Sequence, residues 1–146
     1  MRVTVCSHAY VVAANHAKLE HLARTPGVEL SLVCPGRVRR ELASYRVQRT
    51  EHPDYAIVPL RTVYPSHNYR FFYWFLRGAL ARLAPEVLHV EEEPWSLAAW
   101  QAARYARGYP DTRFIFFPWQ NLRLRYAFPH ERVRAFVHET ADAAIA

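Results

Sequence analysis

Apolar residues in this chain fall into short continuous runs, separated by stretches with helical period. Residues 2–7 (RVTVCS) are β-branched and apolar, and they predict a buried strand. A helical pattern follows, with Leu19, Leu22 and Ala23 on one face and Lys18, Glu20 and Arg24 on the other, until Pro26-Gly27 stops it. VELSLVC (28–34) predicts a second strand ended by Pro35-Gly36, and residues 37–43 a short helix. YRVQRT (45–50) and YAIVPLRTV (55–63) read as extended. The longest helical stretch is 66–84, with Ser66 as its N-cap and Phe72, Leu76, Ala79, Leu80 and Leu83 as its inner stripe. EVLHV (86–90) predicts a strand, and Pro94 opens a helix to about Arg107. TRFIFF (112–117) is a further strand, 129–140 a helix, and AAIA (143–146) the start of one more strand.

Strands alternate with helices and are apolar throughout rather than at every second position. A strand of that kind is buried on both faces, which is the condition of a parallel sheet covered by helices on either side. The expected architecture is α/β: a doubly wound, Rossmann-like three-layer sandwich, with residues 1–146 forming one domain. Ligands of such sheets sit beyond the carboxyl ends of the strands. Function is therefore expected in the loops after Ser7, Cys34, Val90 and Phe117.

The loop after the first strand, HAYVVAAN, contains no glycine. A GxGxxG turn lets backbone amides approach a pyrophosphate, so its absence argues against a nicotinamide or flavin dehydrogenase. No GxxxxGK[ST] loop is present either, and no acidic pair follows the first strand. His8 and Tyr10 stand as polar groups on the ligand edge; packing within the loop is the competing role for each. After Val90 come three consecutive carboxylates, Glu91, Glu92 and Glu93, then Pro94 and Trp95. One carboxylate caps a helix and meets its positive end. Three adjacent like charges repel, so at least one is expected to face a sugar hydroxyl, a cation, or an arginine of this chain. Carboxylates beside Trp95 suit carbohydrate, which needs acceptors and an aromatic platform together. His89 and Glu91 share a strand face, but no further ligand cluster at metal spacing accompanies them. After Phe117, Trp119, Gln120 and Asn121 again set an aromatic face beside two amides, with Arg123 and Arg125 following.

Composition narrows the partners. Of 146 residues about half are apolar, enough for a sizeable core. Nineteen basic against thirteen acidic residues leave a net charge of +6, and Lys18 is the sole lysine. Arginine-rich surfaces suit oxyanions. The basic residues are scattered and carry no nucleic-acid motif, so nucleic acid ranks last among partners. Cys6 and Cys34 sit in apolar strands and read as buried, reduced thiols. The N-terminus lacks a signal-peptide core and no apolar run reaches about 18 residues, so a cytoplasmic location is expected. Tyr69, Phe71, Tyr73 and Trp74, set among Arg70 and Arg77, suit either a membrane interface or burial, with burial favoured.

Three segments in order, EVLHVEEEPWSLAAWQA, FIFFPWQN and ADAAIA, resemble the amino-terminal domain of family-4-like glycosyltransferases with the GT-B fold. VTVCSHAYVV and VELSLVCPGR fit the same pattern, and the resemblance covers essentially the whole chain. It implies two Rossmann domains facing across a cleft, the first binding the acceptor and the second the nucleotide-sugar donor. It also implies sugar transfer with retention and generally without a metal or other cofactor. Glu92, Glu93 and Trp95 would match the family's EEPW element, and Trp119, Gln120 and Asn121 its WQN element. With His8 and Tyr10, these are the candidate acceptor and cleft-lining residues. The chain departs from the family in lacking glycines at 11–15, in having Pro118, Trp119 and Gln120 where many members have a histidine, and in lacking the donor domain. The implied partners are a nucleotide sugar, a glycan or lipid-linked acceptor and the missing carboxyl-terminal domain, with peripheral contact at the inner membrane face. A split or truncated half that only binds carbohydrate or a partner is the alternative.

Overall fold

The structure is a computed structural model and describes residues 1–40, 43–49, 53–64, 70–119 and 127–145. In chain order the elements are β1 (Arg2–Cys6), α1 (Ala17–Ala23), β2 (Glu29–Pro35), β3 (Arg37–Arg40), β4 (Ala43–Arg46), β5 (Ala56–Leu60), β6 (Thr62–Val63) and β7 (Phe72–Tyr73). They continue with α2 (Leu76–Leu83), β8 (Val87–Val90), α3 (Leu97–Arg107), β9 (Arg113–Phe116), α4 (His130–Thr140) and β10 (Ala143–Ala144). Two single-turn 3-10 helices, Ala9–Val11 and Ala13–Asn15, fill the connection from β1 to α1.

Six strands form one sheet in the order β10-β9-β8-β1-β2-β5, every pairing parallel. This is the doubly wound order: the chain moves outward from β1 through β2 to β5, then returns to the other side of β1 with β8. The strand order reverses at β1 and β8, so a crevice opens there at their carboxyl ends. The register sets Cys6 beside Val90. The residues that follow, Ser7-His8 on one strand and Glu91-Glu92 on the other, therefore emerge side by side.

Alternate residues of each strand face opposite layers. Val3, Val5, Leu30, Leu32 and Cys34 pack with Leu19 of α1, Tyr10 and Tyr55. Cys6, Leu88, Val90, Phe114 and Phe116 pack on the other side with Leu76 and Leu80 of α2, Val137 of α4 and the small residues of α3. Ala98, Ala99, Ala102, Ala103 and Ala106 make the inner face of α3, and their small side chains let the helix lie close to the sheet. Each fully buried leucine contributes about 1.5–3 kcal/mol through removal from water. Both cysteines are buried and unpaired, as their setting implies. Burial pushes the Cys34 thiol up to about 12 and the Cys6 thiol higher still, which keeps both unreactive.

Three expectations are corrected. The short helix expected at 37–43 is instead a β-ribbon, with β3 antiparallel to β4 and Val38 opposite Tyr45. Val38 is buried while Arg37 and Arg39 on either side are exposed, the period-two alternation of a strand. The helix expected at 66–84 is confined, among the described residues, to 76–83, and its proposed N-cap Ser66 lies outside them. Phe72 and Tyr73 pair with Val63 and Thr62, and Gln101 of α3 bonds both backbone groups of Tyr73 at 2.8 and 2.9 Å. Phe75 then blocks the helix from extending backwards. Its φ of 78° is left-handed, a conformation bulky residues rarely adopt. Its ring lies over Gly78, where an added Cβ would stand 2.4 Å from the ring edge. The inner stripe survives in part, with Leu76, Ala79 and Leu80 buried. The third correction concerns α3: its N-cap is Ser96, not a glutamate, and the Ser96 side chain accepts from Ala99 N–H at 3.1 Å.

Leu88 has no exposed surface and sits at the centre of the sheet between α2 and α3. Leu88→Ala is expected to lower unfolding free energy by about 2–5 kcal/mol, read from urea midpoints at unchanged slope.

Candidate functional site

The site is built where β1 and β8 end. Beyond Val90 the chain keeps the strand direction for two residues, so Glu91 and Glu92 fall on opposite sides of the sheet. Both are fully buried. Removing a carboxylate from water costs several kcal/mol unless it is paired, and each has its own partners.

Glu91 faces the α1 side. The Tyr10 hydroxyl donates to it at 2.9 and 2.8 Å, and Lys18 Nζ approaches Oε1 at 2.6 Å. Lys18 also lies over the Phe117 ring, 5.6 Å from its centroid. Burial and the Glu91 charge hold the Tyr10 phenol well above its usual range, so it remains a donor. His89 Nε2 stands 3.9 Å from the same Glu91 oxygen, and burial pulls its pKa down. Behind Tyr10, buried His16 joins its carbonyl at 2.8 Å to the Tyr55 hydroxyl at 2.9 Å, which stiffens the loop.

Glu92 faces the α2 and α3 side. One oxygen accepts the His8 backbone N–H at 2.7 Å and the other meets His8 Nδ1 at 2.8 Å. Burial raises the Glu92 pKa, while the His8 ring and its hydrogen bonds pull it back. The His8 ring rests edge-on against Phe71, with centroids 5.7 Å apart. Ser7 Oγ ties the two strand ends together: it donates to the Glu91 carbonyl at 2.9 Å and accepts from Ala9 N–H at 3.1 Å.

Trp119 completes the rim. Its indole N–H donates to the Glu91 carbonyl at 3.1 Å and its ring packs edge-on against Phe117, yet the residue remains 51% exposed. One edge is fixed and the rest meets solvent. Of the eight candidate residues, the structure thus brings His8, Tyr10, Glu92 and Trp119 together. Glu93 is half-buried and forms the turn into α3, its carbonyl accepting from Ser96 N–H at 2.8 Å. Trp95 is half-buried, with its carbonyl 3.4 Å from His130 Nδ1. Gln120 and Asn121 lie outside the described residues, as do Arg123 and Arg125. Ser7 and Lys18 join the site unforeseen, and Glu91 joins it as one of the three carboxylates from which a partnered acid was expected. The partner expected for these carboxylates was a sugar hydroxyl, a cation or an arginine; Glu91 takes the single lysine, which helix periodicity had placed on the polar face of α1. Of the aromatic cluster at 69–74, Phe71 and Tyr73 are buried and Trp74 is exposed, while Tyr69 is outside the described residues.

Among the described residues no three His, Cys, Asp or Glu side chains gather as a metal site would require, and no helix is long and apolar enough to cross a membrane. No family model and no curated protein matches the chain. Among solved structures it is similar to dTDP-glucose 4,6-dehydratase (rfbB) from Bacillus anthracis str. Ames in complex with NAD, with 9% identity and a TM-score of 0.51. The match covers 95% of this chain and 48% of that one, so the chain spans about half its neighbour's length. At that identity the likeness is one of fold. The protein is a Rossmann-like α/β protein with a carboxylate-lined switch point.

Two measurements test this geometry. Lys18→Met removes the cation from buried Glu91. A fully buried pair broken this way costs roughly 3–5 kcal/mol, but Lys18 is half-exposed and Tyr10 stays, so a loss of about 1–2 kcal/mol is expected in urea unfolding. The second concerns pH. Glu92 has its folded pKa raised above the ordinary 4.5, so the folded state holds this proton more tightly than the unfolded one. Its stabilising effect is present below the unfolded pKa and is lost as pH rises through the folded pKa. Glu92→Gln cannot ionise, so its stability relative to the unmodified protein is expected to improve as pH climbs from 4.5. A flat difference would show that Glu92 is not shifted upward.

Proposed function

We propose that this chain is the acceptor-side, sugar-binding half of a glycosyltransferase. In the complete enzyme a sugar would pass from a nucleotide-sugar donor to a glycan or lipid-linked acceptor, with retention as the resemblance implies; alone the chain holds acceptor without turnover. The observation that carries this reading is the exposed Trp119 face, anchored by its own N–H beside the Glu91–Tyr10–Lys18 and Glu92–His8 groups. A sugar offers C–H faces to an indole and hydroxyls to polar groups at its edge.

Charge sign supports a hydroxylated ligand over a dinucleotide. Among the described residues at the crevice, two carboxylates face one lysine, which leaves it net negative when His8 is neutral. A pyrophosphate would be repelled, and no glycine turn offers it backbone amides. For the same reason the chain is read as holding no cofactor, with the nucleotide sugar as co-substrate on the enzyme's donor-binding domain. The fold neighbour's name, a dTDP-glucose dehydratase, agrees with a sugar-nucleotide setting. Peripheral seating at an inner membrane face belongs to the same proposal and is supported by exposed Tyr64, Trp74 and Phe75 near Arg61, Arg70 and Arg77.

One observation favours a purely binding role as the second reading. Glu91 and Glu92 are each saturated by the chain's own groups, so neither stands ready as a free acid or base. Tryptophan fluorescence of the chain, titrated with methyl α-D-glucoside, UDP-glucose and NAD, tests the main reading. The glycoside is expected to bind, Trp119→Ala to abolish the response, and UDP-glucose and NAD to bind no more tightly than the glycoside. Tight NAD or UDP-glucose binding would overturn it.

A further inference from the structure

We infer that Lys18 is the group that donates a hydrogen bond to a ligand hydroxyl, and that Glu91 is a positioning residue that holds the Lys18 ammonium and the Trp119 ring at a fixed spacing. This rests on the carbohydrate reading of the site and deepens it: the substrate class becomes a neutral sugar ring with an acceptor oxygen at its edge. The sequence points elsewhere, with glutamates meeting the sugar and Lys18 on the polar face of a helix.

Glu91 holds both groups at once. Its carboxylate takes Lys18 Nζ at 2.6 Å, and its backbone carbonyl takes the Trp119 indole N–H at 3.1 Å. The carboxylate is itself anchored, because the Tyr10 hydroxyl donates to both of its oxygens. Phe117 links the two held groups from below: its ring centroid lies 5.6 Å from the ammonium and 5.4 Å from the centroid of Trp119. The Lys18 side chain nevertheless stays 53% exposed, against 2% for that of Glu91. An ammonium has three N–H donors, so the contact with Glu91 leaves donors for a ligand. A lysine normally surrenders much rotamer freedom when it binds; one already fixed by a carboxylate and an aromatic ring surrenders less. A sugar ring lying on the indole can therefore turn an edge hydroxyl to a donor that is held in place beforehand. Among the described residues the Lys18 charge is already answered by Glu91, and Glu92 follows it in the chain. A hydroxyl accepts from the ammonium without adding charge, whereas a phosphate would bring negative charge to two buried carboxylates.

Lys18 is the sole lysine, so nitrogen-15 lysine labelling of the full chain gives a single side-chain ammonium resonance. That resonance is expected to move with methyl α-D-glucoside, together with the Trp119 indole resonance, and to stay in place with inorganic phosphate. Glu91→Gln keeps an acceptor for the Tyr10 hydroxyl but frees the ammonium. It is expected to broaden the ammonium signal through proton exchange with water and to weaken glycoside binding about tenfold, the worth of one hydrogen bond from a charged donor. Lys18→Met is expected to weaken binding to the same degree while leaving the ligand-free Trp119 indole resonance where it was. The unmodified protein alone can overturn the inference: a glycoside that moves the Trp119 indole resonance but not the ammonium does so, and leaves the carbohydrate reading standing. Unchanged affinity in Lys18→Met has the same meaning. A glycoside that moves neither resonance, or a phosphate that moves the ammonium in its place, ends both.

Discussion

Two adjacent carboxylates, buried side by side at the seam between β1 and β8, constrain everything around them. The strand register brings Ser7 and His8 against Glu91 and Glu92, and the pleat sends the two acids to opposite layers. Neither can be buried as a bare charge. The loop after β1 therefore folds into tight 3-10 turns that deliver Tyr10 to one acid and His8 to the other, and α1 starts where Lys18 can reach Glu91. The Trp119 loop is anchored to the same point through the Glu91 carbonyl.

That arrangement explains why a Rossmann-like sheet here does without glycines at its first turn. In dinucleotide-binding relatives of the fold, bare backbone amides meet a pyrophosphate at this position. Here the amides are turned inward: the His8 N–H bonds to Glu92 and the Ala9 N–H to Ser7. Side chains occupy the crevice in their place, and among the described residues Glu91 meets Tyr10 and Lys18 while Glu92 meets His8.

Legibility in the sequence followed the range of the forces involved. Continuous apolar strands, Pro-Gly stops and the alternation of strand with helix are local signals, and they marked the six parallel strands and three of the four helices to within a few residues. The aromatic stretch before α2 was less legible. Tyr73 and Phe72 have the composition of either element, and the choice came from pairing with Thr62-Val63 and from the Gln101 side chain, contacts made across long separations. The RVRR segment likewise became a strand because a partner at 43–46 was available.

At the site, the loops and their polar residues were readable because strand ends are readable, and His8, Tyr10, Glu92 and Trp119 were among them. Their partners were not. Nothing in the spacing of Lys18, seventy-three positions from Glu91, announces that the two meet. The sequence by itself determined the layers, the parallel sheet and the edge where ligands belong, since burial on both faces and turn chemistry are written in neighbouring residues. Only the tertiary structure decided which carboxylate is paired with which cation, how deeply each acid is buried, and which aromatic ring stays in solvent. Those outcomes depend on a strand register and on distances that no local pattern encodes.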